Sequence, residues 1–114
     1  AKMVADLAQR TCADEVDAEA NKGGEMIRTV LQAAGINLAI RLVHTSQSKA
    51  RRASPVAALY AAGRVKHTSG LGDLEKELLD FGLTRKSPNR LDAMVWGVSR
   101  LLLTSNATPR IALI

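Results

Sequence analysis

Cysteine, aromatic residues and long apolar runs are all scarce in this 114-residue sequence. Cys12 is the single cysteine. No internal disulfide or cysteine-rich zinc site can form, and the expected compartment is reducing and intracellular. One Phe, one Tyr and one Trp leave the core to Leu, Val, Ile, Met and Ala. No apolar stretch approaches the roughly 20 residues of a membrane span, which argues against a membrane bundle. Residues 1–12 contain Asp6 and Arg10 and do not read as a signal peptide. The pattern Gly-x-x-x-x-Gly-Lys-Ser/Thr is missing, so no ATP site is expected. No nucleophile elbow occurs either.

What is present is an ordinary globular composition, 46% hydrophobic and 24% charged, enough for one domain or part of one. Sixteen Lys and Arg oppose eleven Asp and Glu, a net charge of +5. That balance favours polyanionic partners, nucleic acid first and an acidic membrane second.

Apolar spacing predicts a helix over residues 3–11, with Met3, Val4, Leu7 and Ala8 on one stripe. Residues 14–20 read as a strand with Val16, Ala18 and Ala20 on one face and Asp17 and Glu19 on the other. A turn at residues 21–24 leads to a helix with Met26, Ile27, Val30 and Leu31 inward, stopped by Gly35. Residues 38–43 are the best strand, and strand–helix–strand predicts a parallel pair. Residues 45–52 read as a polar, basic loop, and Pro55 to Ala62 as a helix starting at most a turn earlier. Arg64 to His67 suggests a short strand. Leu71, Leu74, Leu78 and Leu79 mark another helix. Ser87-Pro88 predicts a helix start with proline at the first helical position, lined by Leu91, Val95, Val98 and Leu102. From Ser105 a frayed tail is expected. The class is α/β. Two convincing strands make a thin sheet for a free-standing domain, so further strands are expected upstream of Ala1.

Two carboxylates stand where chemistry is expected. Glu19 ends a strand, and sites in open α/β sheets lie beyond the carboxyl ends of strands. Asp92 lies in the first turns of the last helix. Together they could hold Mg²⁺ or Mn²⁺, which favour hard oxygen ligands. The plainer alternative is an exposed strand-end charge and a residue that merely favours a helix N-terminus. The basic residues Lys49, Arg51, Arg52, Arg64, Lys66, Arg85, Lys86 and Arg90 suit DNA phosphates, although scattered cations are more often a solvated surface. No aromatics interleave with them, which disfavours single-strand stacking and fits a duplex better. His44 and His67 read as surface or strand-end residues, Tyr60 and Trp96 as core or helix–sheet contacts, and Cys12 as a small buried group. Gly23-Gly24 is too little for a phosphate loop.

Three segments in order carry a resemblance: Ala18-Glu19-Ala20-Asn21-Lys22-Gly23-Gly24-Glu25-Met26; Lys49-Ala50-Arg51-Arg52-Ala53-Ser54-Pro55 running through Tyr60 to Gly63-Arg64-Val65; and Ser87-Pro88-Asn89-Arg90-Leu91-Asp92-Ala93-Met94-Val95-Trp96. Over roughly Leu7 to Leu103 the chain resembles the C-terminal nuclease domain of the large terminase subunit of tailed bacteriophages and gene transfer agents. The resemblance implies a ribonuclease H-like fold spanning residues 1–104, with 105–114 as a tail. It implies an endonuclease that cuts concatemeric DNA with two Mg²⁺ or Mn²⁺ ions, in the cytoplasm of a bacterial host. Glu19 and Asp92 look like the second and third of the family's three metal-binding acids. The first belongs to an opening strand expected upstream of Ala1, so a fragment lacking it is expected to be inactive. Lys49 and Arg52 match basic positions of the family pattern. With Arg51, Arg64 and Arg90 they are the DNA-binding candidates. The implied partners are double-stranded DNA, the portal and the small terminase subunit, with no membrane. Asp17 departs from the pattern where an apolar residue is usual, and Asn89 where Asp is common. The rivals are a non-catalytic basic DNA-binding module, another ribonuclease H-like nuclease such as a resolvase, and a purely structural domain.

Overall fold

The alternation over residues 15–19 and the apolar run that follows Gly35 both become strands in the computed structural model. It describes residues 1–20, 23–83 and 88–103. These form helix α1 (Lys2–Arg10), strand β1 (Glu15–Glu19), helix α2 (Gly24–Ala33), strand β2 (Ala39–Val43) and helices α3 (Lys49–Ala61), α4 (Gly72–Asp80) and α5 (Asn89–Leu102). The turn residues 21 and 22, the expected cap Ser87, the cations Arg85 and Lys86 and the expected tail all lie outside the described residues. The chain divides into two compact units, residues 1–46 and 47–114.

In the first unit β1 and β2 pair in parallel, Glu15 opposite Ala39 and Glu19 opposite Val43. The ladder continues one step further, since the Ala20 amide donates to the Val43 carbonyl at 3.0 Å. Leu31, Ile36 and Ile40 form the core, with Ile27, Val16, Ala18 and Leu42 packed around it. Arg28 on α2 reaches across to the Ile40 carbonyl at 2.7 Å and satisfies a strand acceptor. The helix stripes are only half used. Ala8 is the buried residue of α1, whereas Met3 is 80% exposed and Met26 on α2 68%. Cys12 is exposed and sits at φ 50°, which corrects the expectation of a buried thiol.

In the second unit Val56, Leu91 and Val95 form the core, flanked by Ala53, Tyr60, Leu74, Leu78 and Val98. Three expectations fail here. Residues 49–52 are the first turn of α3, not a loop. Ser48 caps that turn, its Oγ accepting from the Arg51 amide at 3.2 Å. The helix then runs through Pro55, whose missing amide costs one internal hydrogen bond. Residues 64–67 are irregular rather than a strand; the Arg64 amide closes back on the Leu59 carbonyl at 2.9 Å as the chain leaves α3. Pro88 is the residue before α5 rather than its first member. The cap comes from another helix: Glu77 on α4 accepts from the Leu91 amide at 2.8 Å and from Arg90 at 3.2 Å.

Candidate functional site

Helical spacing brings the site of the second unit together. Lys49 and Arg52 are three residues apart and Val56 four beyond, so all three share one face of α3. Asp92 and Trp96 are four apart on α5 and share a face as well. Packing of Val56 against Leu91 and Val95 therefore sets the two cations opposite the carboxylate. Lys49 Nζ lies 3.5 Å from Asp92 Oδ2, and Arg52 Nη1 lies 3.1 Å from Asp92 Oδ1. The side chains of Arg52 and Asp92 are 10% and 12% exposed, and that of Lys49 is 39%.

The Arg52 approach is Coulombic rather than a directed hydrogen bond. Among the described residues its Nη1, though close, has no aligned acceptor, and the buried Nε has none either. The guanidinium instead lies over the Trp96 ring, 4.9 Å from its centroid. A desolvated cation–π contact of this kind is worth about 1–2 kcal/mol. Asp92 also sits in the first turn of α5, where the helix dipole favours a negative charge.

Glu19 is the exposed last residue of β1, opposite Val43 in the first unit. Gly23 adopts φ 77°. A Cβ on Gly24 would stand 3.0 Å from Ala20 Cβ and 3.2 Å from Leu42 Cδ1, so glycine lets α2 begin directly over the strand ends. Arg90 pairs with Glu77 at 3.2 Å and with Asp73 at 3.6 Å. Arg51 and Arg64 are exposed.

Sequence reasoning passed over two arrangements. Asp17 and Arg41 face each other across the strand pair and join by two hydrogen bonds of 3.0 and 2.6 Å. Hydrogen bonding to Asp17 holds the Arg41 proton more firmly than usual, partly opposed by burial. Opposite charges at registered positions of adjacent strands were the available signal. His67 is half-buried rather than a plain surface group. Its Nε2 is 2.5 Å from the Tyr60 hydroxyl and its Nδ1 3.3 Å from Glu75 Oε1. Burial, then the Glu75 charge, raises the Tyr60 phenol above its ordinary range.

As ligands, Glu19 and Asp92 have the right chemistry for Mg²⁺ or Mn²⁺, hard carboxylate oxygens. The number is short: among the described residues no three His, Cys, Asp or Glu side chains cluster closely enough to hold a metal ion. Also among the described residues, no helix is long and apolar enough to cross a membrane.

A parallel strand pair and five helices among the described residues make this an α/β chain. The family model described as "Terminase RNaseH-like domain" matches residues 1–101, and the chain belongs to that family. This makes it a domain of a nuclease family of phage terminases, for which DNA is the implied substrate. No curated protein and no solved structure matches the chain.

Proposed function

We propose that this chain is the metal-dependent endonuclease domain of a DNA-packaging terminase, which cuts concatemeric viral DNA in the cytoplasm of a bacterial host. The observation that carries this reading is the Asp92 carboxylate, held nearly buried between α3 and α5 and flanked by two cations, within a chain matched to the family over residues 1–101. Asp92 and Glu19 are the proposed metal ligands. When bound, a pair of Mg²⁺ or Mn²⁺ ions would activate water and stabilise the departing 3′ oxygen. The chain's own part is to hold Asp92 in place through α5 and to carry Glu19 at the end of β1. Arg51 and Arg64 are the proposed attractors of the duplex backbone, with Lys49 at the border of the site. The portal and the small terminase subunit are the proposed protein partners.

The test is plasmid nicking by the full-length gene product with Mn²⁺. Glu19→Gln and Asp92→Asn should each reduce cutting at least a hundredfold while DNA binding in EDTA is retained. Cutting at the parental rate by Asp92→Asn would remove the ligand assignment. Equal, metal-independent DNA binding with no nicking by the parent would favour a non-catalytic basic module instead.

A further inference from the structure

We infer that Arg52 is a positioning residue for Asp92 rather than a contact to DNA. The inference rests on the reading of Asp92 as a metal ligand. Its first support is burial. A cation that tracks phosphates must reach the surface, yet the Arg52 side chain is 10% exposed, against 39% for Lys49 beside it.

The second support is how the guanidinium is oriented. The same chain shows what an arginine does when hydrogen bonds set its plane: Arg41 takes both oxygens of Asp17, at 3.0 and 2.6 Å. Arg52 does not repeat that geometry. Its Cζ sits over the Trp96 ring, 4.9 Å from the centroid, and among the described residues neither Nε nor Nη1 has an aligned acceptor although Asp92 Oδ1 is 3.1 Å away. Trp96 follows Asp92 by one helical turn, so one face of α5 supplies both the carboxylate and the platform for its counter-charge. The result is a positive neighbour whose Nε and Nη1 make no directed hydrogen bond to Oδ1. Asp92 is held in place with that oxygen still able to meet a hard cation, which a bidentate arginine would prevent. A lysine at position 52 would keep the charge and lose the guanidinium over the Trp96 ring.

The experiment measures Mn²⁺ affinity by electron paramagnetic resonance without DNA, and duplex affinity against salt in EDTA, in the full-length gene product. Simple Coulomb repulsion predicts that removing a cation near a metal ligand tightens Mn²⁺ binding. Variants that keep the charge therefore isolate position. Arg52→Lys and Trp96→Leu should each weaken Mn²⁺ binding about tenfold, the effect of disturbing a group that orients a ligand. Trp96→Phe, which keeps an aromatic face, should restore most of it. The dependence of duplex affinity on salt should match the parent in all three. Unchanged Mn²⁺ affinity in Arg52→Lys overturns the inference, whether or not Trp96→Leu folds. So does a salt slope that falls by about one in Arg52→Gln, the mark of a lost phosphate contact. Asp92→Asn separates the two readings. If it binds Mn²⁺ like the parent, the ligand assignment fails with the inference. If it does not and Arg52→Lys does, only the role of Arg52 is lost.

Discussion

Replacing Asp92 by alanine leaves Arg52 as a nearly buried cation without its counter-charge among the described residues. Breaking a buried pair from one side usually costs about 3–5 kcal/mol. Two features reduce that here. The guanidinium keeps the Trp96 face, and about a tenth of the side chain still meets water. Lys49, at 39% exposure, is solvated after the change and adds little. The expected net cost is about 2 kcal/mol, including a few tenths for a lost negative charge at the α5 N-terminus. Hydrogen exchange reads this locally. Amides of residues 89–102 should exchange about thirtyfold faster if they open through the unit that α3 and α5 share. Combining Asp92→Ala with Arg52→Met removes the stranded charge and keeps an apolar stem. The pair should recover at least about 1 kcal/mol relative to the sum of the single changes. Additivity within about 0.5 kcal/mol would refute the claim that these groups interact through a desolvated contact. The same reasoning explains why asparagine, not alanine, is the informative probe of the role proposed for position 92: alanine would loosen the helix as well as delete the proposed ligand.

Two further outcomes follow from named contacts. Glu77 is held below its ordinary carboxyl range, first by the Leu91 amide and, against some desolvation, by Arg90. A depressed carboxyl stabilises fully above the unfolded value of 4.5 and loses that contribution as pH falls through the folded value. Exchange at the Leu91 amide should accelerate as pH drops below 4.5, after correction for intrinsic rates, and Glu77→Gln should flatten that dependence. Identical acid profiles would show that Glu77 does not cap α5. Gly24→Ala should destabilise the first unit by about 1 kcal/mol, because overpacking against Ala20 and Leu42 outweighs the gain in helix propensity. Unchanged or slower exchange over residues 15–19 and 39–43 would contradict the close approach of α2 to the strand ends.

The strand–helix–strand order and the parallel pairing were legible because period-2 and period-3.6 patterns are clear there, with Gly35 as a stop. Helix existence was equally legible in α4 and α5. The start of α3 was not. A basic run, Lys49 to Arg52, carries no apolar periodicity, and Pro55 reads as a boundary although the helix continues through it. The clue was Ser48, a capping residue with good helix formers behind it. Missing that turn hid the site, since Lys49 and Arg52 share a face with Val56 only if they are helical. The strand expected at 64–67 was wrong because β-branched Val65 and alternating polarity say nothing about whether a neighbouring strand exists to pair with.

Net charge is the feature this chain most easily misleads with. A surplus of five cations and five nominated DNA contacts suggest a broad basic surface. Three of those five face carboxylates: Lys49 and Arg52 at Asp92, and Arg90 at Asp73 and Glu77. Their charge is already partly neutralised, and for Arg52 it is also withdrawn from solvent. Counterion release, the source of phosphate affinity, needs cations that can reach the backbone. Position relative to acids therefore matters more than the count. A lysine and an arginine three residues apart on a helix that packs on another bearing aspartate and tryptophan four apart describe a built carboxylate site. The proposed DNA grip then falls to the exposed Arg51 and Arg64, since Arg90, though exposed, is engaged by Asp73 and Glu77.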